Sequence, residues 1–394
     1  MQVHRSRRSR THLAVLALLL LVSACSNGGD GGEATGKSAN SGDPLDLRGA
    51  CPSKIVVQTS WDPNVAAFGA LYHLLGPNPD IDAGKKSVTA PLVARGKDTG
   101  VKLELRAGGP AIGFTQATAQ MYLDTSITLG VSGAFDEVLQ LSARQPTIAV
   151  AALQEIDPQI ILWDPATYPQ FNTIRDIGRT DTKVLYFGGD TYMEYLVGTG
   201  ILKRSQVDGS YDGSPSRFVV ERGKVAQSGY ATDDPYVLEK DVKEWGKPVK
   251  YQLVYETDYP NYGPPLVVRA GDKGKLAPCL RRLVPIVQQA QVDVIAEPDR
   301  TIDLTLRLNK DYKSGTPYTR AGSDFTVSQL KNLKLSSNGN DGTAGNFDES
   351  RVQRMIDITK PIFAAQKKPV KEGLKPSDVV TNEFINPKIG FTAK

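Results

Sequence analysis

Histidine is scarce in this sequence of 394 residues. It occurs three times, as His4, His12 and His73, and the first two lie in a basic N-terminal stretch. A Ser-His-Asp or Cys-His catalytic arrangement would therefore have to use His73, which stands in the helix-like stretch 68–75, where a packing role is expected. The count also excludes zinc sites built from several histidines or four cysteines. No Gly-rich phosphate loop followed by Lys-Ser/Thr is present either.

The apolar run near the N-terminus is too short to span a membrane. It covers residues 13–22, whereas a transmembrane helix needs about 20 apolar residues. Four arginines precede it, which is typical of a secretory signal. Its end, LVSAC, resembles a bacterial lipoprotein signal, in which the cysteine is lipidated and becomes the mature N-terminus. We expect residues 1–24 to be a signal peptide and Cys25 to be the lipid anchor; an ordinary signal with an incidental cysteine is the alternative. The export route, Sec or twin-arginine, stays open.

A segment with few apolar residues follows the signal. Residues 25–50 are rich in Gly and Ser, so we expect a flexible tether that holds a folded body near the outer face of the bacterial cell membrane. The formal charge of +4 matches the four arginines within residues 1–24. The mature chain is therefore neutral, and its charge indicates no nucleic-acid partner.

Cysteine is as scarce as histidine. Besides Cys25, only Cys51 and Cys279 are present. An even pair in an exported protein indicates a disulfide. We therefore expect a Cys51–Cys279 bond, with two buried free thiols as the alternative.

Strand-like and helix-like segments alternate, which predicts an α/β architecture. The folded part is longer than one core usually supports, so we expect lobe 1 at 51–155, lobe 2 at 156–258, and a return to lobe 1 with C-terminal helices at 259–394. The stretch TIAVAALQEIDPQIILW at 147–163 and the turn-rich stretch at 258–265 are interpreted as the crossings between lobes.

Three predicted strands are each followed by a turn that opens a helix. These junctions are Lys54–Ser60 before Asp62-Pro63, Ser126–Val131 before Ser132, and Lys183–Phe187 before Gly188-Gly189-Asp190. Asp62 and Ser132 are expected to cap the next helices, and Thr191 and Glu194 have capping-box spacing. Asp136 and Glu137 suit the positive end of a helix dipole. Ligands of open α/β sheets bind at such carboxyl ends of strands.

On these features the chain resembles the solute-binding lipoproteins of ABC importers, in the branch that binds nitrate, sulfonates and thiamine-pyrimidine precursors. The resemblance covers roughly Cys51 to the C-terminus. Its motifs are Trp-Asp-Pro after the first strand, ELRAGGPAIG at 104–113, GGDTYMEYLVGTGIL at 188–202 and the stretch 210–236.

The resemblance implies a two-lobed periplasmic-binding-protein fold of type II, with two hinge crossings and a ligand cleft between the lobes. It implies a monomer that delivers a small molecule to an ABC permease and ATPase, without enzymatic activity, cofactor or metal.

Candidate ligand-binding residues follow the strands and crossings. They are Trp61, Asp62, Gly109, Ser132, Trp163, Asp190, Tyr192, Tyr230, Asp234, Tyr259 and Tyr262. For several of them a structural role is the alternative: core packing for Trp61, helix capping for Asp62 and Ser132, and hinge packing for the last two tyrosines. Aromatics and carboxylates dominate the set, which favours a neutral or cationic heterocycle, such as an amine-bearing pyrimidine, over nitrate or sulfonate.

The stretch GYATDDPY at 229–236 carries two adjacent carboxylates. Neighbouring residues of an extended segment point to opposite sides, so Asp233 and Asp234 are not expected to share a site. Relatives commonly carry Glu-Pro where this chain has Asp234-Pro235. The resemblance therefore implies that Asp234 faces the ligand, while Asp233 faces solvent or caps a turn.

Two other functions are compatible with this fold. One is an enzyme of the thiamine-pyrimidine synthase type, which uses an active-site histidine and iron. The other is a tethered sensor that reports ligand occupancy to a signalling partner.

Overall fold

The computed structural model describes residues 37–316 and 318–392. The predicted signal peptide and Cys25 lie outside these residues. Within the described part, no helix combines the length and apolar character needed to cross a membrane.

The strands form two separate sheets. In chain order they are β1 (Lys37–Ser38), β2 (Lys54–Gln58), β3 (Asp80–Asp82), β4 (Ser87–Ala94), β5 (Lys97–Arg106), β6 (Leu129–Val131), β7 (Thr147–Ala152), β8 (Gln159–Trp163), β9 (Val184–Leu185), β10 (Val207–Asp208), β11 (Ala226–Tyr230), β12 (Lys250–Leu253) and β13 (Pro265–Arg269).

The α-helices lie between the strands and dominate the C-terminal part. They are α1 (Val65–His73), α2 (Ala117–Leu123), α3 (Phe135–Gln140), α4 (Ile174–Gly178), α5 (Thr191–Gly198), α6 (Ser216–Val220), α7 (Asp234–Tyr236), α8 (Lys273–Ala296), α9 (Asp299–Tyr312), α10 (Arg320–Asn332) and α11 (Glu349–Ala365).

The first sheet has the order β3-β4-β5-β2-β6-β13-β7, with β1 added beside β5. Its centre is parallel, because β2 pairs in parallel with both β5 and β6. Strand β2 is buried from Ile55 to Gln58, as expected for a central strand covered on both faces. The part of the chain built on this sheet is called the first lobe.

The second sheet has the order β10-β9-β11-β8-β12 and forms the second lobe. Strands β9 and β11 are parallel, whereas β8 is antiparallel to both β11 and β12. The chain enters this sheet between β7 and β8, and it returns to the first sheet between β12 and β13. These two connections are called the first and second crossings. The predicted α/β architecture with two lobes is confirmed.

Helix α8 packs the C-terminal part against the first lobe. Leu280, Leu283, Val284 and Val287 recur at the spacing of one helix face and join the same buried cluster as Phe68 of α1. A disulfide between Cys51 and Cys279 of α8 adds a covalent link. The predicted bond is therefore confirmed, and the alternative of two free thiols is wrong.

The segment expected to be a tether is shorter than predicted. Residues 37–38 form β1 beside β5, Ala39 donates a backbone hydrogen bond to Asp98, and Leu47 donates one to Thr99. The Leu47 side chain is fully buried in the core of the first lobe. Leu45 packs against the same core. The low average hydropathy of residues 25–50 hides these few apolar contacts, so the prediction of a flexible tether is wrong for residues 37–50.

Three predicted helix caps are also wrong. Helix α1 is capped by Asn64, whose side chain accepts a hydrogen bond from the Ala67 N–H, because the helix begins at Val65 and Asp62 lies too far from its first turn. Helix α3 begins after Ala134, so Ser132 stands too far from its first turn. Helix α5 starts at Thr191 itself, which leaves no capping box there.

Candidate functional site

The candidate site lies between one edge of the first sheet and one edge of the second sheet, where the two crossings connect the lobes. In the first sheet, the parallel strands β2, β5 and β6 end at one edge, and Trp61, Gly109 and Ser132 follow them. In the second sheet, β8 runs antiparallel to β11, so Gln159 at the start of β8 lies opposite Tyr230 at the end of β11. The crossings leave and enter the sheets at these edges.

Four carboxylates from both lobes gather between these edges. They are Asp136 and Glu137 of α3, Asp157 of the first crossing, and Asp190 before α5; together they are called the acidic cluster. Tyr259 Oη donates to Asp136 Oδ2 at 2.8 Å, and Ser132 Oγ donates to Glu137 Oε2 at 2.8 Å.

One side chain joins the two crossings to the first lobe. Asn261 Nδ2 donates to Asp157 Oδ2 at 2.9 Å and to Asp136 Oδ1 at 3.3 Å. The Asp157 N–H donates back to the Asn261 carbonyl group at 3.3 Å. The base of the interlobe space is therefore a network of carboxylates held by neutral donors.

Protonation is favoured throughout the acidic cluster. Burial raises the pKa of Glu137 to about 7. Burial and the negative charge of Asp136 raise the pKa of Asp157 and of Asp190 to about 7. Burial also raises the pKa of Asp136, although hydrogen bonds from Tyr259 and Asn261 oppose this shift. Like charges in a poorly solvated space disfavour ionisation, and such sites are frequent at functional positions.

Tyrosines of the second lobe line the same space. The pKa of Tyr192 is raised by burial first and by the charge of Asp190 second. Tyr230 keeps 47% of its surface accessible, yet burial raises the pKa of its hydroxyl group, with further contributions from Asp157 and Asp190. Its accessible surface therefore faces the space between the lobes rather than open solvent.

Trp61 and Phe114 border the edge of the first sheet and are together called the aromatic ledge. The rings of Trp61 and Phe114 lie 5.8 Å apart, and Phe114 is 63% exposed. A Cβ atom on Gly109 would lie 2.8 Å from Trp61 Cε3, so this glycine allows the indole to approach the backbone. Asp62, by contrast, is buried and only 4% exposed.

Trp163, predicted to contact the ligand, lies at the wrong end of its strand. Strand β8 begins at the first crossing and runs away from it, because it is antiparallel to β11. Trp163 is therefore at the opposite edge of the second sheet, where it is fully buried and packs edge-on against Phe171 at 6.4 Å. Its position and burial do not support the predicted ligand contact of Trp163.

The tyrosines of the second crossing are packed in the hinge. Tyr259 and Tyr262 are each 1% exposed. The Tyr262 hydroxyl group accepts a hydrogen bond from the Asp348 N–H at 2.7 Å, and the Arg351 guanidinium lies 3.5 Å from its ring centroid. Hinge packing is therefore the role that their contacts support.

The two carboxylates of GYATDDPY are separately engaged. Asp234 Oδ2 accepts a hydrogen bond from the Tyr230 N–H at 2.6 Å, and it folds over Gly229, where a Cβ atom would lie 2.6 Å from the same oxygen. Asp233 accepts from Thr326 Oγ1 of α10 at 3.1 Å. Asp234 thus closes a turn, and Asp233 binds a C-terminal helix. These contacts do not support the expectation that Asp234 faces the ligand.

A separate pocket lies elsewhere on the first lobe. It has a volume of about 850 Å³ and is bordered by His73, Arg281, Arg282 and Arg300. These arginines are already engaged: Arg282 with the Asp46 carbonyl group, Arg281 with Glu383, and Arg300 with the Leu75 carbonyl group. We therefore place the candidate site between the lobes rather than in this pocket.

The described residues contain no group of three or more His, Cys, Asp or Glu side chains arranged to hold a metal ion.

Sequence reasoning identifies only Asp190 among the four members of the acidic cluster. The sequence pattern presents Asp136 and Glu137 as helix-dipole partners and Asp157 as a polar break in a crossing, and it does not single out the neighbouring Asn261. Their shared signal is that each follows closely after a strand or lies in a crossing, which places polar groups at the interlobe edges.

The chain matches no model of a known protein family, and no curated protein matches it. Its structure is similar to the ligand-binding component of an ABC-type import system from Staphylococcus aureus with zinc bound (TM-score 0.51, 12% identity, 84% of this chain and 98% of that chain covered). It is also similar to the periplasmic sulfonate-binding protein SsuA of Methylobacillus flagellatus (TM-score 0.51, 13% identity, 84% and 92% covered). A third similar structure is the nitrate-binding protein NrtA of Synechocystis (TM-score 0.50, 9% identity, 84% and 87% covered).

At these identities the similarity establishes the fold. The periplasmic-binding-protein fold expected from the sequence is confirmed, and sulfonate-binding and nitrate-binding proteins are among the solved structures that share it.

Proposed function

We propose that this chain is an extracytoplasmic solute-binding lipoprotein that delivers a small polar metabolite, heterocyclic or amine-bearing, to an ABC importer. The observation that carries the proposal is the meeting of polar groups from both lobes between the crossings: Asp136 and Glu137 from the first lobe face Asp190 from the second, and each raises the pKa of Asp190.

This arrangement suits capture by closure of two lobes. A ligand between the sheet edges contacts both lobes at once, so its binding energy favours the closed form. A few residues in the two crossings can absorb the rotation. The closed form is then the species that a membrane permease recognises.

Two further observations support the proposal. The N-terminal sequence carries a lipoprotein-type signal that ends at Cys25. Structurally similar proteins are described as ABC-type import components or as sulfonate-binding and nitrate-binding proteins. Lipid anchoring at the outer face of the cell membrane and a monomeric state are part of the proposal.

The enzyme alternative finds no support at the interlobe site. His73 is the only histidine among the described residues, and it stands at the last position of α1, whose first turn follows the interlobe edge. Its Nδ1 lies 3.1 Å from Thr301 Oγ1. A reaction that depends on an active-site histidine would lack that residue between the lobes.

Ligand capture can be tested directly. Native mass spectrometry of protein purified without refolding should reveal a small molecule bound at a ratio of one to one. Isothermal titration against a metabolite panel should then give a dissociation constant in the micromolar range or below.

A pair of tyrosine variants tests the location of the site. Tyr230→Ala should weaken binding at least tenfold. Tyr168→Ala is the matched control, because Tyr168 lies in the same lobe and stacks on Phe171 near the opposite sheet edge, and it should bind like the wild type. Absence of any binder in the panel, or equal loss in both variants, would contradict the proposal.

A further inference from the structure

We infer that the ligand of the interlobe site is a nitrogen cation that carries N–H donors, such as a protonated amine or a guanidinium group. The inference rests on the proposed function and names the chemical class of its ligand. It depends on three properties of the site: its charge, which no cation balances, its unsatisfied buried polar groups, and the predominance of oxygen atoms over aromatic ring faces among those groups.

The first property is the charge of the acidic cluster. Its hydrogen bonds come from neutral donors, namely the Tyr259 hydroxyl group, the Asn261 amide, the Ser132 hydroxyl group and backbone N–H groups. Within residues 37–316 and 318–392, none of the four carboxylates forms an ion pair with Lys or Arg. At pH 8, above the pKa of about 7 of Glu137, Asp157 and Asp190, the cluster is negatively charged, so it repels nitrate, sulfonates and other anions and attracts cations.

The surrounding charged and titratable groups do not reverse this sign. The groups in or beside the space are Asp136 and Glu137 of α3, Asp157 of the first crossing, Asp190 before α5, Tyr192 of α5, Tyr230 at the end of β11, Asp234 of α7, Tyr259 of the second crossing, and Arg351 of α11. Arg351 is the one cation in this set, and Glu155 neutralises it through a contact of 2.7 Å between Arg351 Nη1 and Glu155 Oε1.

The second property is a buried hydroxyl group that lacks a well-formed hydrogen bond. Tyr192 is 6% exposed, and its Oη meets no partner among the described residues with good hydrogen-bond geometry. Asp190 and Ser228 are its polar neighbours, and both influence the pKa of its hydroxyl group, so this group lies beside the acidic cluster. A buried hydroxyl group without a well-formed hydrogen bond is costly, and a bound ligand can supply one.

A second unsatisfied acceptor lies deeper in the same network. Asn261 is 1% exposed. Its Nδ2 group donates hydrogen bonds to the carboxylates of Asp136 and Asp157, whereas its Oδ1 atom has no partner among the described residues. Carboxylate, amide and hydroxyl oxygens at one place accept hydrogen bonds, so the complementary ligand is one that donates several.

The third property distinguishes kinds of nitrogen cation. A quaternary ammonium group has no N–H donor and is usually held by the faces of several aromatic rings. Here oxygen atoms rather than ring faces are left unsatisfied. A primary amine or a guanidinium group supplies both the positive charge and the donors, so we expect the site to prefer it to a quaternary analogue.

The experiment compares matched probes on the wild-type protein at pH 8. Agmatine, ethanolamine and spermidine represent N–H cations, choline is the quaternary analogue of ethanolamine, and ethanesulfonate and nitrate represent anions. Thermal unfolding and isothermal titration are measured for each probe and for every binder found in the broader metabolite panel. The expected result is that the tightest binder carries a protonated amine or guanidinium group and binds at least tenfold more tightly than its quaternary analogue.

Two carboxylate variants test whether the cation binds at the acidic cluster. Asp190→Asn and Glu137→Gln should each weaken binding of that cation at least tenfold. Asp181→Asn is the matched control, because Asp181 lies in the second lobe with a side chain that is 99% exposed, and its affinity should stay within twofold of the wild type. The comparison of probes needs only wild-type protein, so it remains decisive if a variant does not fold.

The outcomes separate this inference from the proposed function. A tightest binder that is anionic, neutral or quaternary would overturn the inference while the proposed function stands. Equal affinity in wild type and Asp190→Asn would also overturn it. Absence of any binder among probes and panel would contradict the proposed function itself.

Discussion

The hydroxyl group of Tyr259 donates a hydrogen bond of 2.8 Å to Asp136 Oδ2. Tyr259 belongs to the second crossing and Asp136 to α3 of the first lobe, and both are buried. The contact therefore connects the hinge to the acidic cluster, and it stabilises the ionised form of the Asp136 carboxyl group, whose pKa burial raises.

Removal of this donor should lower the stability of the protein. In Tyr259→Phe the ring can still pack against Tyr195, whose centroid lies 5.0 Å away, but Asp136 loses its partner. We expect the free energy of unfolding at pH 8 to fall by about 1–3 kcal/mol, measured by urea denaturation. Tyr168→Phe, which removes a hydroxyl group at the surface, should change it by less than about 0.5 kcal/mol. Equal effects of the two substitutions would contradict the role given to Tyr259.

The acidic cluster should make the ligand-free protein less stable as the pH rises. The pKa of Glu137 is about 7 in the folded protein, above its value in the unfolded chain, so the folded state binds the proton more tightly. This contribution to the free energy of unfolding is present at low pH and is lost as the pH rises from about 4.5 to about 7.

A substitution isolates that contribution. The free energy of unfolding of Glu137→Gln, minus that of the wild type, should increase by about 1–3 kcal/mol from pH 5 to pH 8. It is measured by urea denaturation of ligand-free protein. Asp181→Asn should keep the pH dependence of the wild type. A constant difference between Glu137→Gln and the wild type across this range would show that Glu137 titrates normally.

Gly109 and Gly113 provide a matched test of the aromatic ledge. Both have positive φ angles, 55° and 61°, so an alanine at either position should cost about 1–2 kcal/mol of backbone strain. Only at Gly109 does a Cβ atom meet a neighbour, the Trp61 indole. Gly109→Ala should therefore destabilise more than Gly113→Ala and should shift the tryptophan emission spectrum. Equal destabilisation without a spectral change would mean that the indole can move aside freely.

The disulfide between Cys51 and Cys279 closes a loop with a sequence separation of 228 residues. Its removal in the double variant Cys51→Ser/Cys279→Ser should lower the free energy of unfolding by about 2–4 kcal/mol, measured by urea denaturation without reductant. Wild-type protein treated with dithiothreitol should match the variant. If reductant leaves the wild type unchanged, the bond contributes nothing to stability.

Local patterns in the sequence predicted the architecture well. Apolar runs such as Ile55–Val57 have the length and composition of buried strands, and the alternation of strands and helices indicates α/β lobes. The pairing of Cys51 with Cys279 followed from their number alone. These properties depend on composition and periodicity, which a single chain displays directly.

Strand direction was the main limit on predicting the site. Trp163 ends a strand beside a crossing, a position that favours ligand contact, but β8 is antiparallel to its neighbours and carries the indole away from the other lobe. Nothing in the residues of β8 distinguishes parallel from antiparallel pairing, because the pairing depends on distant strands.

The acidic cluster could not be recognised from spacing either. Its members come from α3, the first crossing and the turn before α5, and only the fold brings them together. Asp136 and Glu137 look like ordinary first-turn acids, which favour a helix N-terminus in any protein. The information that distinguishes them is the burial of that turn against the second lobe.

The pairing of β1 with β5 limits how far the folded body can travel from its attachment point. With the lipid on Cys25 that we propose, only twelve peptide steps separate the anchor from Lys37, the first residue of β1. Even fully extended, that length of chain spans about 43 Å. Under the proposed function, the attached end of the folded body would therefore stay within roughly this distance of the membrane, which would confine its encounters with a permease to the region next to the membrane surface.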